Sequence, residues 1–316
     1  MSSGFRTSSK GDQSRKPPAV MNAARHHRRI RLEETMTQTD HAARAARFRD
    51  LNLAGRLLLP NAWDAASARI FEDAGFLAIG TTSGGIANSR GLPDGELIGR
   101  DAMVREIASI VRAVAQPVSA DIEAGYGNAP ADVAATVDAV LDIGVVGVNL
   151  EDNAHRADAA TLYSTAEQVA RIRAARDVAE QRGIHLVINA RTDSFLLGLG
   201  EGLEERVEMT IERGRAYLQA GADLVFVPVL IDPEVARQVI GAIQGPVSLM
   251  AMPGAPPARV LFDAGAHRVS LGNSAMLATL GALREIANEV LQAGTWISIE
   301  RTFYGFGEAE ALFARR

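Results

Sequence analysis

The stretch Ala120-Asp121-Ile122-Glu123-Ala124-Gly125-Tyr126-Gly127-Asn128 sets two carboxylates one residue apart, after the apolar run Pro117-Val118-Ser119 and before a helical pattern from Pro130 to Asp142. Alternation along an extended chain puts Asp121 and Glu123 on the same side. Two carboxylates that close raise each other's pKa unless a cation sits between them, and hard oxygen ligands suit Mg²⁺ or Mn²⁺. Glu151, which ends the run Gly147-Val148-Asn149-Leu150, adds a third acid. A carboxylate at a buried strand end is costly unless a cation or hydrogen bonds compensate it. The pattern therefore points to a metal site made of Asp121, Glu123 and Glu151. The alternative is that these acids cap the following helices or pair with arginines.

Two further features suit an anionic ligand. Arg191, in Asn189-Ala190-Arg191-Thr192-Asp193, offers a planar fork that matches a carboxylate or phosphonate. Ser83-Gly84-Gly85 offers backbone N–H groups where side chains would obstruct close approach, which suits an oxyanion.

Composition narrows the chemistry. Among 316 residues there is no cysteine, which removes disulfides, thiolate nucleophiles and zinc–thiolate sites. Lys10 and Lys16 are the only lysines, so no Schiff-base lysine exists beyond the N-terminal tail. Residues 1–35 carry about +5 and the remainder about −10, which argues against a nucleic-acid surface on the body. No apolar run approaches the roughly 20 residues of a membrane helix. A cytoplasmic protein is expected.

The elements that must position these residues follow a rhythm. Residues 1–40 are rich in Ser, Arg and Pro and read as a disordered extension, with residues 41–316 as one domain. Strands are expected at Arg56–Leu59, Phe76–Gly80, Val118–Asp121, Gly147–Leu150, Leu186–Ala190, Leu224–Val227, Val247–Ala251 and Arg268–Leu271, with amphipathic helical stretches between them. Strand and helix alternating eight times predict a (β/α)₈ TIM-type barrel. Its active site would lie at the C-terminal strand ends, which collect Asn61, Asp64, Thr81 to Gly85, Asp121, Glu123, Glu151, Asp152, Arg191, Asp193, Asn273 and Ser274.

These residues resemble the isocitrate lyase/phosphoenolpyruvate mutase superfamily. The matching segments are Pro60-Asn61-Ala62-Trp63-Asp64-Ala65-Ala66-Ser67-Ala68, Thr82-Ser83-Gly84-Gly85, Gly91-Leu92-Pro93-Asp94, Ala120 to Gly127, Asn149-Leu150-Glu151-Asp152 and Asn189 to Asp193. The resemblance implies a Mg²⁺-dependent enzyme that cleaves or forms C–C or P–C bonds in small 2-oxo or 2-hydroxy acids, or phosphonate analogues, through an enolate. Asp121 would touch the metal directly, with Glu123, Glu151 and Asp94 acting through water. Ser83, Gly84, Gly85, Trp63 and Arg191 would hold the substrate. The resemblance also implies a homo-oligomer, dimer or tetramer, in which a C-terminal helix from Ser274 onward is exchanged between subunits.

The sequence departs from that pattern in the lid. The lyase branch carries Lys-Lys-Cys-Gly-His, whereas here the place reads Asn153-Ala154-His155-Arg156-Ala157-Asp158. Without cysteine, His155 becomes the candidate acid/base, beside Arg191 and Asp94 as catalytic residues. The sixth strand ends in Val227-Pro228-Val229 where Phe-Pro-Glu is usual. A barrel that has lost catalysis and only binds a small carboxylate is the alternative reading.

Overall fold

The computed structural model describes residues 1, 37–155 and 161–314, and the fold is that of the unit Met36–Arg316. The expected extension lies almost wholly outside the described residues, as does Arg156 of the lid. In chain order the elements are α1 (Gln38–Ala54), β1 (Leu57–Leu59), β2 (Asn61–Ala62), α2 (Ala65–Asp73), β3 (Ile79–Thr81), α3 (Ser83–Ser89), α4 (Arg100–Ala113), β4 (Val118–Asp121) and α5 (Pro130–Asp142). They continue with β5 (Gly147–Glu151), α6 (Thr165–Gln181), β6 (Val187–Arg191), α7 (Leu203–Gln219), β7 (Leu224–Val227), α8 (Pro233–Ile243), β8 (Val247–Met250), α9 (Ala258–Asp263), β9 (Arg268–Ser270), α10 (Ser274–Ala293), α11 (Ile297–Thr302) and α12 (Phe306–Ala314).

All strands are parallel and run β1-β9-β8-β7-β6-β5-β4-β3-β2, so the chain forms the expected α/β barrel. The nine strands are eight with the first broken at Pro60, which has no N–H to give. Before the break β1 pairs with β9, and after it β2 pairs with β3. Asn61 closes the seam in place of backbone. Its Oδ1 accepts from the amides of Leu271 and Gly272, each at 2.9 Å, and its Nδ2 donates to the Thr81 carbonyl at 2.8 Å.

The apolar core lies between strands and helices. Val118, Ala120, Val148, Leu150, Ile188, Ala190, Val225, Val227, Val247, Leu249 and Val269 are buried there. The alternate residues of the same strands face the barrel axis and are mostly polar: Ser119 and Asp121, Asn149 and Glu151, Asn189 and Arg191, Ser248, Arg268 and Ser270. Asn189 donates to Asn149 at 2.7 Å, and Arg268 to Ser248 at 3.2 Å. This barrel thus carries a polar column where branched aliphatic residues usually fill the axis.

The N-terminal end of the barrel is plugged by α1, a helix absent from the sequence expectation, which begins inside the segment assigned to the extension. Phe48 is fully buried against Gly147, where a Cβ would stand 2.5 Å from the ring. Asn52 accepts from Arg268 at 3.3 Å. Helix α3 is also new: the Ser83-Gly84-Gly85 segment forms the first turn of a helix capped by Thr82. Among the described residues no helix is long and apolar enough to cross a membrane.

Candidate active site

Asp121 ends β4 and is buried, the residue 8% exposed. One oxygen, Oδ2, accepts from both the amide and the hydroxyl of Ser83, at 3.0 and 2.9 Å. The other, Oδ1, is buried with no hydrogen-bond partner among the described residues. Burial raises the pKa of this group, while the charge of Arg191 and the bonds from Ser83 pull it down. Asp94 stands nearby: a Cβ on Gly84 would come 2.9 Å from its Oδ2 and 3.1 Å from Asn273 Nδ2. A Cβ on Gly85 would come 3.0 Å from Cβ of Trp63, so these glycines let α3 press against the acids and the tryptophan.

Glu123 sits two residues on with φ +51° and takes three donors. Its Oε2 accepts from the amides of Gly95 and Glu96, at 3.0 and 2.5 Å, and its Oε1 accepts from the Tyr126 hydroxyl at 2.6 Å. Glu96 returns the bond, its carboxylate accepting from the Tyr126 amide at 2.6 Å. This clasp joins the loop that carries Asp94 to the loop after β4. Burial pushes the Glu123 carboxyl up to about 7, against the lowering effect of Tyr126. Glu96, Glu123 and Tyr126 all have left-handed backbone, a strain that clusters at functional sites.

Glu151 ends β5 between two cations. Oε2 lies 2.7 Å from Arg191 Nη1, and Oε1 lies 2.5 Å from His155 Nε2. Burial raises its pKa to about 7 even so. Arg191 turns the rest of its fork on Asp193, Nε to Oδ1 at 2.6 Å and Nη2 to Oδ2 at 2.9 Å. Burial works against its charge, but Glu151 and Asp193 more than offset that and raise its pKa. Burial alone would lower the His155 pKa, and the Glu151 bond and charge reverse this to about 9. Both cations are protonated at neutral pH.

The structure thus brings Asp94, Asp121, Glu123, Glu151, Arg191, His155, Ser83, Gly84, Gly85 and Trp63 to one end of the barrel. Asp64 stands apart as the cap of α2, accepting from Ser67 at 2.7 Å. Asp152 is a buried tether, accepting from Arg213 at 3.0 Å and Tyr217 at 2.6 Å. His185 lies at the opposite end, 2.8 Å from Asp223, as its place before β6 implied. Sequence reading missed Tyr126 and Glu96 as partners of Glu123, although Tyr126 lies inside the stretch that first drew attention.

The site leaves few direct ligands for a divalent cation. Among the described residues no three or more His, Asp or Glu side chains converge as a direct ligand cage. Glu123 and Glu151 spend their oxygens on Tyr126, Gly95, Glu96, Arg191 and His155. The bare Oδ1 of Asp121 remains, a hard oxygen with other acids at hand. That fits an ion that keeps several waters and takes few protein ligands, as Mg²⁺ does.

A family model described as phosphoenolpyruvate phosphomutase matches residues 48–291. The chain is 31% identical over 247 residues to 2-methylisocitrate lyase of Escherichia coli (strain K12), covering 75% of this chain and 80% of that one. Among solved structures it is similar to oxaloacetate acetylhydrolase in complex with the product oxalate, with a TM-score of 0.76, 25% identity, and coverage of 86% of this chain and 94% of that one. It is also similar to phosphoenolpyruvate phosphomutase from Streptomyces platensis subsp. rosaceus, with a TM-score of 0.74, 27% identity, and coverage of 85% and 94%.

Proposed function

This chain belongs to the isocitrate lyase/phosphoenolpyruvate mutase superfamily, a group of lyases, mutases and hydrolases, and we propose that it is a Mg²⁺-dependent member acting on a C–C or P–C bond of a small 2-oxo or 2-hydroxy acid or phosphonate. The observation that carries this reading is the buried, unpartnered Oδ1 of Asp121 beside Asp94 and the Ser83-Gly84-Gly85 turn. Asp121 would hold the ion directly, with Asp94, Glu123 and Glu151 reached through water; Mn²⁺ suits the same oxygens. The ion, when bound, supplies Lewis-acid stabilisation of charge that develops on a substrate oxygen.

The chain's own groups do the rest. Ser83 holds Asp121 through two bonds and fixes which oxygen is free. Gly84 lies in the first turn of α3, where backbone N–H groups have no intrahelical acceptor, and its amide is the backbone donor offered to a ligand. Arg191, fixed by Asp193 and Glu151, keeps a positive charge at the strand ends for a substrate carboxylate. Trp63 forms the wall beside Gly85. His155, protonated against Glu151, is the proton carrier that stands in for the missing lid cysteine. The reading includes a cytoplasmic homo-oligomer, dimer or tetramer, with exchange of the C-terminal helix. Helix α10 supports this, since of its twenty residues only Met276 is buried while Leu277, Leu280, Leu283 and Leu291 are exposed.

The test is a thermal-shift titration with Mg²⁺ and oxalate, a mimic of the pyruvate enolate. Joint stabilisation beyond that of either alone is expected. No shift from the folded protein would overturn the metal–enolate reading.

A further inference from the structure

The barrel mouth has two unlike halves. Among the described residues the ends of β3 to β6 carry acids at Asp94, Glu96, Asp121, Glu123, Glu151, Asp152 and Asp193, beside the cations Arg191 and His155. The three residues directly after β7 and after β8 are uncharged, and Asp232, further along the β7–α8 connection, is the exposed cap of α8. The two uncharged runs read Pro228-Val229-Leu230 and Ala251-Met252-Pro253, with Val229, Ala251 and Met252 half-buried. Inside them, Phe226 lies with the Arg191 guanidinium 5.9 Å from its ring centre, and Met250 covers Gly272, where a Cβ would meet its sulfur at 2.3 Å.

Val229 adds an independent sign. Its φ is +67°, a conformation in which a β-branched residue is a genuine outlier. Such strain is found where surrounding structure holds a side chain in place for use. Here it holds an isopropyl group at the mouth.

Resting on the reading above, we infer that the part of the substrate remote from the metal is short, uncharged and apolar, and lies against Val229, Met250 and Met252. The substrate class is a 2-oxo or 2-hydroxy monocarboxylate with an alkyl tail, in preference to a dicarboxylate or a phosphonate. A second anionic group on this side would be desolvated beside apolar groups. Among the described residues the cation beside Phe226 is Arg191, whose fork is already on Asp193 and Glu151. Arg100 and Arg105 line a cavity of about 920 Å³ with Glu96, Tyr126 and His155 on the β3–β4 side, across the barrel from Val229.

Calorimetric titration in MgCl₂ tests this with oxalate, pyruvate, 2-oxobutanoate, 2-oxopentanoate and oxaloacetate. Affinity is expected to rise about fourfold per added methylene from pyruvate, as burial of a CH₂ implies. Oxaloacetate is expected to bind at least about tenfold more weakly than 2-oxobutanoate, since its second carboxylate would be buried without a cation. V229G, which relieves the strain and removes the isopropyl group, is expected to flatten the methylene series. Oxalate binding with oxaloacetate tighter than 2-oxobutanoate would overturn the inference alone and place the far group toward Arg100 and Arg105. Failure of oxalate itself to bind with Mg²⁺ would overturn the underlying site reading, and this inference with it.

Discussion

The Nε2 of His155 lies 2.5 Å from Oε1 of Glu151, four residues back along the chain. The pair ties the first residues of the lid to the end of β5. Because burial alone would depress the imidazole and the carboxylate lifts it to about 9, the proton belongs to the pair at neutral pH. The raised folded-state pKa sets the sign. The contribution of the imidazole's raised pKa to stability is full below the ordinary value of 6.5 and is lost as pH rises through about 9. The His155 ring signals in an NMR titration should move near pH 9. Glu151→Gln should bring that midpoint back to the ordinary range or below, and an unchanged midpoint would show that the pair does not form.

Arg191 touches both Glu151 and Asp193. Both acids are buried, so removing it leaves Asp193 without its cation and Glu151 with His155 alone. Arg191→Ala should cost about 3–5 kcal/mol in urea unfolding, as breaking a buried pair does. Arg191→Lys keeps the charge but loses the two-pronged contact with Asp193, and should fall between wild type and alanine. A lysine variant no better than alanine would mean that geometry, not charge, holds this end of the barrel.

Phe48 and Gly147 make the matching contact at the other end of the barrel. Phe48→Ala should cost about 3–5 kcal/mol through the cavity it leaves. Gly147→Ala should cost about 1–3 kcal/mol by driving a methyl into the ring. Since each change makes room for the other, the double variant should lose less than the two single losses together. Additive losses in denaturant unfolding would mean that the ring and the glycine do not share the space.

Much of this architecture was legible because the barrel repeats itself. Each strand is a short apolar run, and residues such as Gly75, Gly144 and Gly265 take the left-handed turns that end the helices. The acids were legible because Asp121 and Glu151 end their strands, and in a parallel barrel those ends share one face. Helix α1 was not, because in seventeen residues it buries only Ala45, Phe48 and Asn52, too few for an apolar stripe. Nor was the partnering of Glu123. It depends on left-handed backbone at Glu96, Glu123 and Tyr126, residue types that do not announce that conformation. The polar barrel axis was hidden for a related reason: Asn149, Asn189 and Arg268 sit within apolar runs, and only the register shows that they face one another's side.

Asp121 itself separates a structural role from a metal role. Asn keeps the shape and leaves an oxygen to accept both bonds from Ser83, but it replaces the free Oδ1 with an N–H₂ group. Asp121→Asn should therefore melt at or above the wild-type temperature without metal, because a buried charge is removed while its hydrogen bonds remain. Its Mg²⁺-dependent shift should disappear, and turnover on any substrate found should fall at least about 10³-fold, the loss of several kcal/mol of charge stabilisation. Asp121→Ala should lose the same Mg²⁺ shift and also cost about 1–3 kcal/mol, because the Ser83 amide and hydroxyl are left buried without an acceptor. The two variants thus agree on metal and disagree on stability. An Asn variant that keeps the Mg²⁺ shift would move the ion away from Asp121 and undo the assignment of this carboxylate as its direct ligand.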